Sequence, residues 1–190
     1  QAVSLSDFRA VFEATYGNKT VMDLTLDQFS MNIAVTRAPS GALLAMGNFG
    51  DNPHTLTMRT SQDGGRTWSQ PRVILSDENL NDGGGFLVDE GSIWYSFHRG
   101  QPIESPDKAN LLKVAVMRSD DNGESWSTPV TVNTGYYYHV TYCDGIRTAA
   151  YDGDGPEIDY VIPYHFMETE DASFQVSVIF SCDAGVTWQN

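Results

Sequence analysis

Basic residues are scarce in this chain of 190 residues. Eleven lysines and arginines stand against 25 aspartates and glutamates, a formal charge of −14 with the histidines neutral. Such a surface repels a phosphate backbone, so nucleic acid is excluded as a partner. Long apolar runs are missing as well: none approaches the ~20 residues of a membrane-spanning helix, and no membrane partner is expected. Cysteine is limited to Cys143 and Cys182. Their spacing fits no metal site, and whether they pair as a disulfide or stand as buried thiols stays open. No cofactor or metal is expected; a structural calcium ion is compatible with the sequence but not specified by it.

The chain does have a repeated octet. Ser61-Gln62-Asp63-Gly64-Gly65-Arg66-Thr67-Trp68, Ser119-Asp120-Asp121-Asn122-Gly123-Glu124-Ser125-Trp126 and Ser181-Cys182-Asp183-Ala184-Gly185-Val186-Thr187-Trp188 all read S-x-D-x-G-x-[ST]-W. Their starts lie about 60 residues apart, too long for leucine-rich or ankyrin units but suited to a four-stranded propeller blade with one enlarged loop. The octet carries its own turn chemistry. Asp and Ser bond local backbone groups, Gly takes the positive φ, and Trp folds back beside the hairpin with its indole N–H seeking a carbonyl. Runs rich in β-formers precede the octets at Thr55–Thr60, Leu111–Arg118 and Phe174–Phe180, and follow the first two at Ser69–Leu75 and Ser127–Val132. Each octet therefore joins two antiparallel strands, and its role is structural.

With these motifs the chain resembles the Asp-box (BNR-repeat) family, and within it the sialidase-like six-bladed propellers. Ala38-Pro39-Ser40-Gly41-Ala42-Leu43-Leu44-Ala45 is similar to that family's first-blade turn. Met58-Arg59-Thr60-Ser61 and Val116-Met117-Arg118-Ser119 are similar to its third strands, and Trp68–Ile74 and Trp126–Val132 to the exit from the box. The resemblance implies an all-β fold, a β-propeller of four-stranded antiparallel blades. About three blades are expected, half of a six-bladed disc: blade one at about 28–76, blade two at about 83–133 and blade three at about 136–190. Blade three is expected to be incomplete, because the sequence stops two residues past Trp188. Open sheet edges and apolar blade faces are unfavourable in water, so the remaining blades are expected from a missing C-terminal part or from a second chain. Within blade two the first strand is expected at Gly85–Asp89, after a Gly/Asp-rich connection over 81–85, and within blade three at Gly145–Tyr151.

Strands of a blade alternate in direction, so the octet turns share one face of the disc. The turns between second and third strands, and the links between blades, share the other. Ligands in the family gather at the funnel on that second face, and all four histidines map to it. His54 lies in the second turn of blade one, His98 and His165 end the second strands of blades two and three, and His139 precedes the first strand of blade three. The expected catalytic residues are Asp51, His98 and His139; the expected substrate-binding residues are His54, Arg99, Tyr138, Arg147 and His165. Asp51 lies where the resemblance puts a general-acid Asp, although Gly50-Asp51-Asn52-Pro53 also reads as a plain turn. Tyr138 and its neighbours Tyr136 and Tyr137 read equally as a core strand, and Glu168 and Glu170 as a solvated loop. Imidazole and carboxylate groups move protons, Arg pairs with a carboxylate, and Tyr faces stack on pyranose rings.

One position departs from the family. Met31, in Ser30-Met31-Asn32-Ile33, stands where sialidases carry the first arginine of their carboxylate-binding triad, and Arg37 lies at the far end of the strand. Sialic acid loses a bidentate clamp there. The expected function is accordingly an exo-acting glycoside hydrolase of the sialidase-like kind, acting on another anionic glycan. The alternatives are a propeller polysaccharide lyase using His, Tyr and Arg on a uronate, and a non-catalytic carbohydrate-binding propeller. An oligo- or polysaccharide is the expected partner, and a secreted or extracellular location goes with it. No signal peptide is visible, as in a mature chain already processed, and Asn18-Lys19-Thr20 fits the N-glycosylation sequon.

Overall fold

The computed structural model describes residues 33–48, 54–100, 112–132, 138–141, 144–148, 157–169 and 171–190. Among these residues there is no helix. Blade one holds β1 (Ala34–Arg37), β2 (Leu43–Gly47), β3 (Thr55–Ser61) and β4 (Arg72–Ser76), side by side in chain order. Blade two repeats this with β5 (Leu80–Asp89), β6 (Ser92–Arg99), β7 (Lys113–Ser119) and β8 (Val130–Thr131). In blade three β9 (Tyr138–Val140) and β10 (Ile146–Arg147) both pair with β11 (Tyr160–Met167), which pairs with β12 (Gln175–Ser181). After the third octet, Gln189 and Phe180 exchange backbone hydrogen bonds of 2.8 Å each, an isolated antiparallel bridge.

Two first strands differ from the sequence expectation. Residues 81–85 belong to β5 rather than to a connection, with a register irregularity between Leu80 and Gly84. Gly83 shows why: at φ 95° a Cβ would lie 2.5 Å from Cε1 of His98, so only glycine lets the strand pass that ring. In blade three, where a single strand is expected over 145–151, the described residues hold two short pieces, β9 and β10, and 149–151 lie outside the described residues. Between them the backbone turns toward blade two, where Asp144 Oδ1 accepts the Phe86 N–H at 2.7 Å and the Gly145 N–H donates to the Phe86 carbonyl at 2.8 Å.

Alternation along the strands fills two seams. Leu44, Met46 and Met58 of blade one meet Phe86, Tyr95, Phe97 and Met117 of blade two. On the other side Leu87, Trp94, Val114 and Val116 meet Tyr160, Ile162, Tyr164 and Ile179 of blade three. Strand β6 is therefore buried on both faces from Ser92 to His98. Each large apolar side chain so enclosed contributes roughly 1.5–3 kcal/mol.

The octets close their turns by side-chain bonds. Ser61 Oγ donates to Asp63 Oδ1 and accepts the Gly65 N–H, both at 2.8 Å, while Thr67 donates its N–H and its hydroxyl to the two Asp63 oxygens at 2.9 and 2.7 Å. The same bonds recur at Ser119, Asp121, Gly123 and Ser125, and at Ser181, Asp183, Gly185 and Thr187. Trp68 and Trp126 are half-buried and donate Nε1–H to the Gly65 and Gly123 carbonyls at 3.1 Å. Trp188 is buried instead, stacked on Tyr160 with ring centroids 6.4 Å apart, and does not make that bond. The three tryptophans thus occupy equivalent places with unequal bonding.

Candidate functional site

At the blade ends away from the octets, the link between blades one and two gathers several polar groups. Asp77, just after β4, holds Arg99 at the end of β6: Nε donates to Asp77 Oδ2 at 2.7 Å, and Nη1 donates to Thr131 Oγ1 at 3.3 Å. Partial burial opposes ionisation of Asp77, but the Asn79 backbone N–H and the Arg99 guanidinium outweigh it and hold the carboxyl below its ordinary range. His54, exposed at the start of β3, brings Nδ1 to 3.3 Å from the Leu80 carbonyl, and its own carbonyl accepts the Asp77 N–H at 3.1 Å. Lys113 lies opposite Arg99 in the β6–β7 register, and burial pushes its ammonium pKa down. Sequence reasoning missed Lys113. Its signal was strand pairing: counting back from the second octet along the hairpin sets it beside Arg99.

His98 points the other way. Only 1% exposed, its ring accepts the Thr141 N–H at Nε2 over 2.8 Å, with the Thr141 carbonyl 2.6 Å from the same nitrogen. This corrects the expectation of an acid–base role. Buried and fixed on a peptide group of blade three, this imidazole ties two blades together among the described residues.

Arg147 is the second correction. In register with Tyr160, it lies on β10 at the octet end of the blade, six positions of β11 (about 20 Å) from the backbone of His139. Its Nη1 donates to Asp89 Oδ1 at 3.0 Å and to Glu90 Oε1 at 2.7 Å, in the first turn of blade two. Asp89 also accepts the Tyr160 hydroxyl at 2.9 Å, and burial together with that carboxylate pushes the phenol up to about 12. This group stitches two blades on the face opposite the funnel.

His165 is half-buried on β11, in register with Val140 and Val176, at the same end as His98. Tyr138 and His139 have their backbone on β9, paired with Met167 and Phe166; their side chains, and the whole of Asp51, lie outside the described residues. The structure thus brings His54 and Arg99 to one link, with Lys113 beside them, and separates Arg147 and His98 from it. Among the described residues no cluster of three or more His, Cys, Asp or Glu could hold a metal ion, and no helix is long and apolar enough to cross a membrane.

Consecutive four-stranded antiparallel sheets, packed face to face and turned by the same octet, define a β-propeller of the sialidase-like kind. No family model matches the chain. It is 29% identical over 185 residues to a sialidase of Micromonospora viridifaciens, an alignment covering 82% of this chain and 28% of that protein. Among solved structures it is similar to the Hadza microbial sialidase Hz136, with a TM-score of 0.64 and 20% identity over 83% of this chain and 36% of the other. The intramolecular trans-sialidase from Ruminococcus gnavus, in complex with oseltamivir carboxylate, gives a TM-score of 0.63 and 12% identity, covering 85% of this chain and 60% of that one. Trypanosoma rangeli sialidase in complex with 2,3-difluorosialic acid gives 0.59 and 13%, covering 83% and 28%. The chain therefore spans less than a third of the length of its Micromonospora relative.

Proposed function

We propose that this chain forms part of the funnel of an exo-acting glycoside hydrolase that takes an anionic sugar at the link between blades one and two. The observation that carries the reading is the identity shared with the Micromonospora sialidase across 82% of the chain. The ligands bound in two structural relatives, 2,3-difluorosialic acid and oseltamivir carboxylate, are both acids and favour an anionic substrate. Arg99 is suited to one: Asp77 and Thr131 take Nε and Nη1, and among the described residues Nη2 meets no acceptor. In this reading Arg99 pairs with the sugar carboxylate and His54 bonds a hydroxyl beside it. Asp51 and His139 are the candidates for proton transfer, and Tyr138 and His165 for contact with the ring. Met31, in place of an arginine, favours a uronate over sialic acid.

The test is a panel of fluorogenic glycosides carrying sialic, glucuronic, galacturonic and iduronic acids. Release of the fluorophore from a uronide is expected, with kcat/KM falling about 10–100-fold in Arg99→Ala, the cost of one charge-assisted contact. Polymeric uronates that gain near-ultraviolet absorbance would establish the lyase reading instead. Affinity for the glycan without turnover would leave a binding propeller.

A further inference from the structure

The two seams follow one plan and differ at one residue. In the first, Gly123 of the second octet sits on Leu44 and Met58 of blade one, and Arg72 reaches across from β4. Its Nη2 donates to the Gly123 carbonyl at 2.5 Å and its Nη1 to the Glu124 carbonyl at 2.7 Å. In the second seam Gly185 of the third octet sits on the indole of Trp94, which takes the place of Leu44. The equivalent carbonyls belong to Gly185 and Val186. The residue equivalent to Arg72, also fourth after its octet tryptophan and in the same register (Met58 with Arg72, Val116 with Val130), is Val130.

Valine is too short to reach them. What remains is a cleft of about 260 Å³ lined by Trp94, Arg118, Val130, Val186 and Trp188. Among the described residues no donor meets the Gly185 or Val186 carbonyl. The indole N–H of Trp94, on a side chain only 2% exposed, also lacks a partner. Arg118 does not fill the gap: Asp120, Ser92 and the Ala184 carbonyl hold its three nitrogens, at 2.7, 3.0 and 3.4 Å, and its guanidinium lies 5.0 Å over the Trp94 ring.

We propose that this cleft is a binding site for a guanidinium group, supplied by an arginine side chain of a partner polypeptide. Two neighbouring backbone carbonyls form the fork that Arg72 occupies in the first seam, and a guanidinium spans such a fork where an ammonium does not. Val130 and Val186, 46% and 64% exposed, offer apolar surface to the methylene stem. The net charge of −14 attracts a cationic partner. A polypeptide is favoured over a free guanidinium because the exposed Val130 and Val186 offer apolar surface to a side-chain stem that a bare guanidinium lacks. The site lies on the octet face and is independent of the sugar reading.

Titration of the protein with the peptide acetyl-Gly-Arg-Gly-amide, read by tryptophan fluorescence and calorimetry, tests it. A saturable fluorescence change is expected, with the Gly-Lys-Gly peptide at least about tenfold weaker. In Val130→Arg the fork is filled from within, so peptide binding should vanish while Tm rises. Should that variant not fold, Val130→Leu, which only narrows the cleft, should weaken the peptide and keep Tm. No saturable response, equal binding of the lysine peptide, or unchanged binding in the folded Val130 variants would overturn the proposal. Ethylguanidinium binding as tightly as the peptide would overturn the polypeptide source.

Discussion

His98 and Arg99 are neighbours in the chain and part company because successive side chains of a strand point to opposite faces. One consequence is measurable. His98→Ala should lower stability by about 2–4 kcal/mol, through a cavity and an unpaired Thr141 peptide, as read from urea unfolding. Activity per folded molecule should persist in that variant, and a selective loss of turnover at unchanged stability would restore His98 to the chemistry. Arg99→Ala should show the reverse pattern. The octet aspartates give a pH prediction. Bonds from Thr67 and Ser61 hold Asp63 at about 2, and bonds from Ser125 and Ser119 do the same for Asp121. A folded pKa below the unfolded value, near 3.9, means the contribution is full above that value and lost as pH falls towards about 2. Tm should therefore drop through that window, and Asp121→Asn should start lower and respond less steeply; equal slopes would contradict the assignment.

Between elements, the seams depend on close approach of an octet to the preceding blade. Gly185, at φ 79° and with a Cβ position 2.3 Å from Trp94 Nε1, leaves no room for a side chain. Gly185→Ala should destabilise by about 2–4 kcal/mol, backbone strain and overpacking together. Arg72→Met, by contrast, removes an exposed stitch and should cost about 1 kcal/mol; a loss as large as that of the glycine would mean the seam hangs on the arginine. The octets and the order of strands were legible because their residue types are fixed by local chemistry, Asp and Ser closing a turn and Gly supplying its φ. The start of β5 and the break between β9 and β10 were not. Gly83 answers to the His98 ring, and residues 144–145 to Phe86, both partners distant in sequence. The candidate site was legible to the same depth. Alternating strand direction set His54 and Arg99 at one end, whereas the height of Arg147 depended on a register with Tyr160 that composition does not carry.

For the molecule as a whole, blade three presents an apolar sheet face. Val176, Val178 and Ile146 are all more than 40% exposed, on strands paired with β11, whose side chains fill the second seam. We propose that a further four-stranded sheet covers this face, as blade two covers blade one. The chain alone should then self-associate in sedimentation velocity, and Val176→Lys with Val178→Lys should reduce the association; a monomer indifferent to both changes would contradict it. Each blade draws its strands from one continuous stretch of chain, and each seam closes only when the next octet arrives. During synthesis the Trp94 indole, with Arg118 already over its ring, must wait for its glycine neighbour until residue 185 has left the ribosome. Pairing within a blade is local and fast, while docking lags by a whole repeat. The nascent chain thus carries one unclosed apolar face at its growing end, and the point of greatest exposure to chaperones and to misassembly travels with translation.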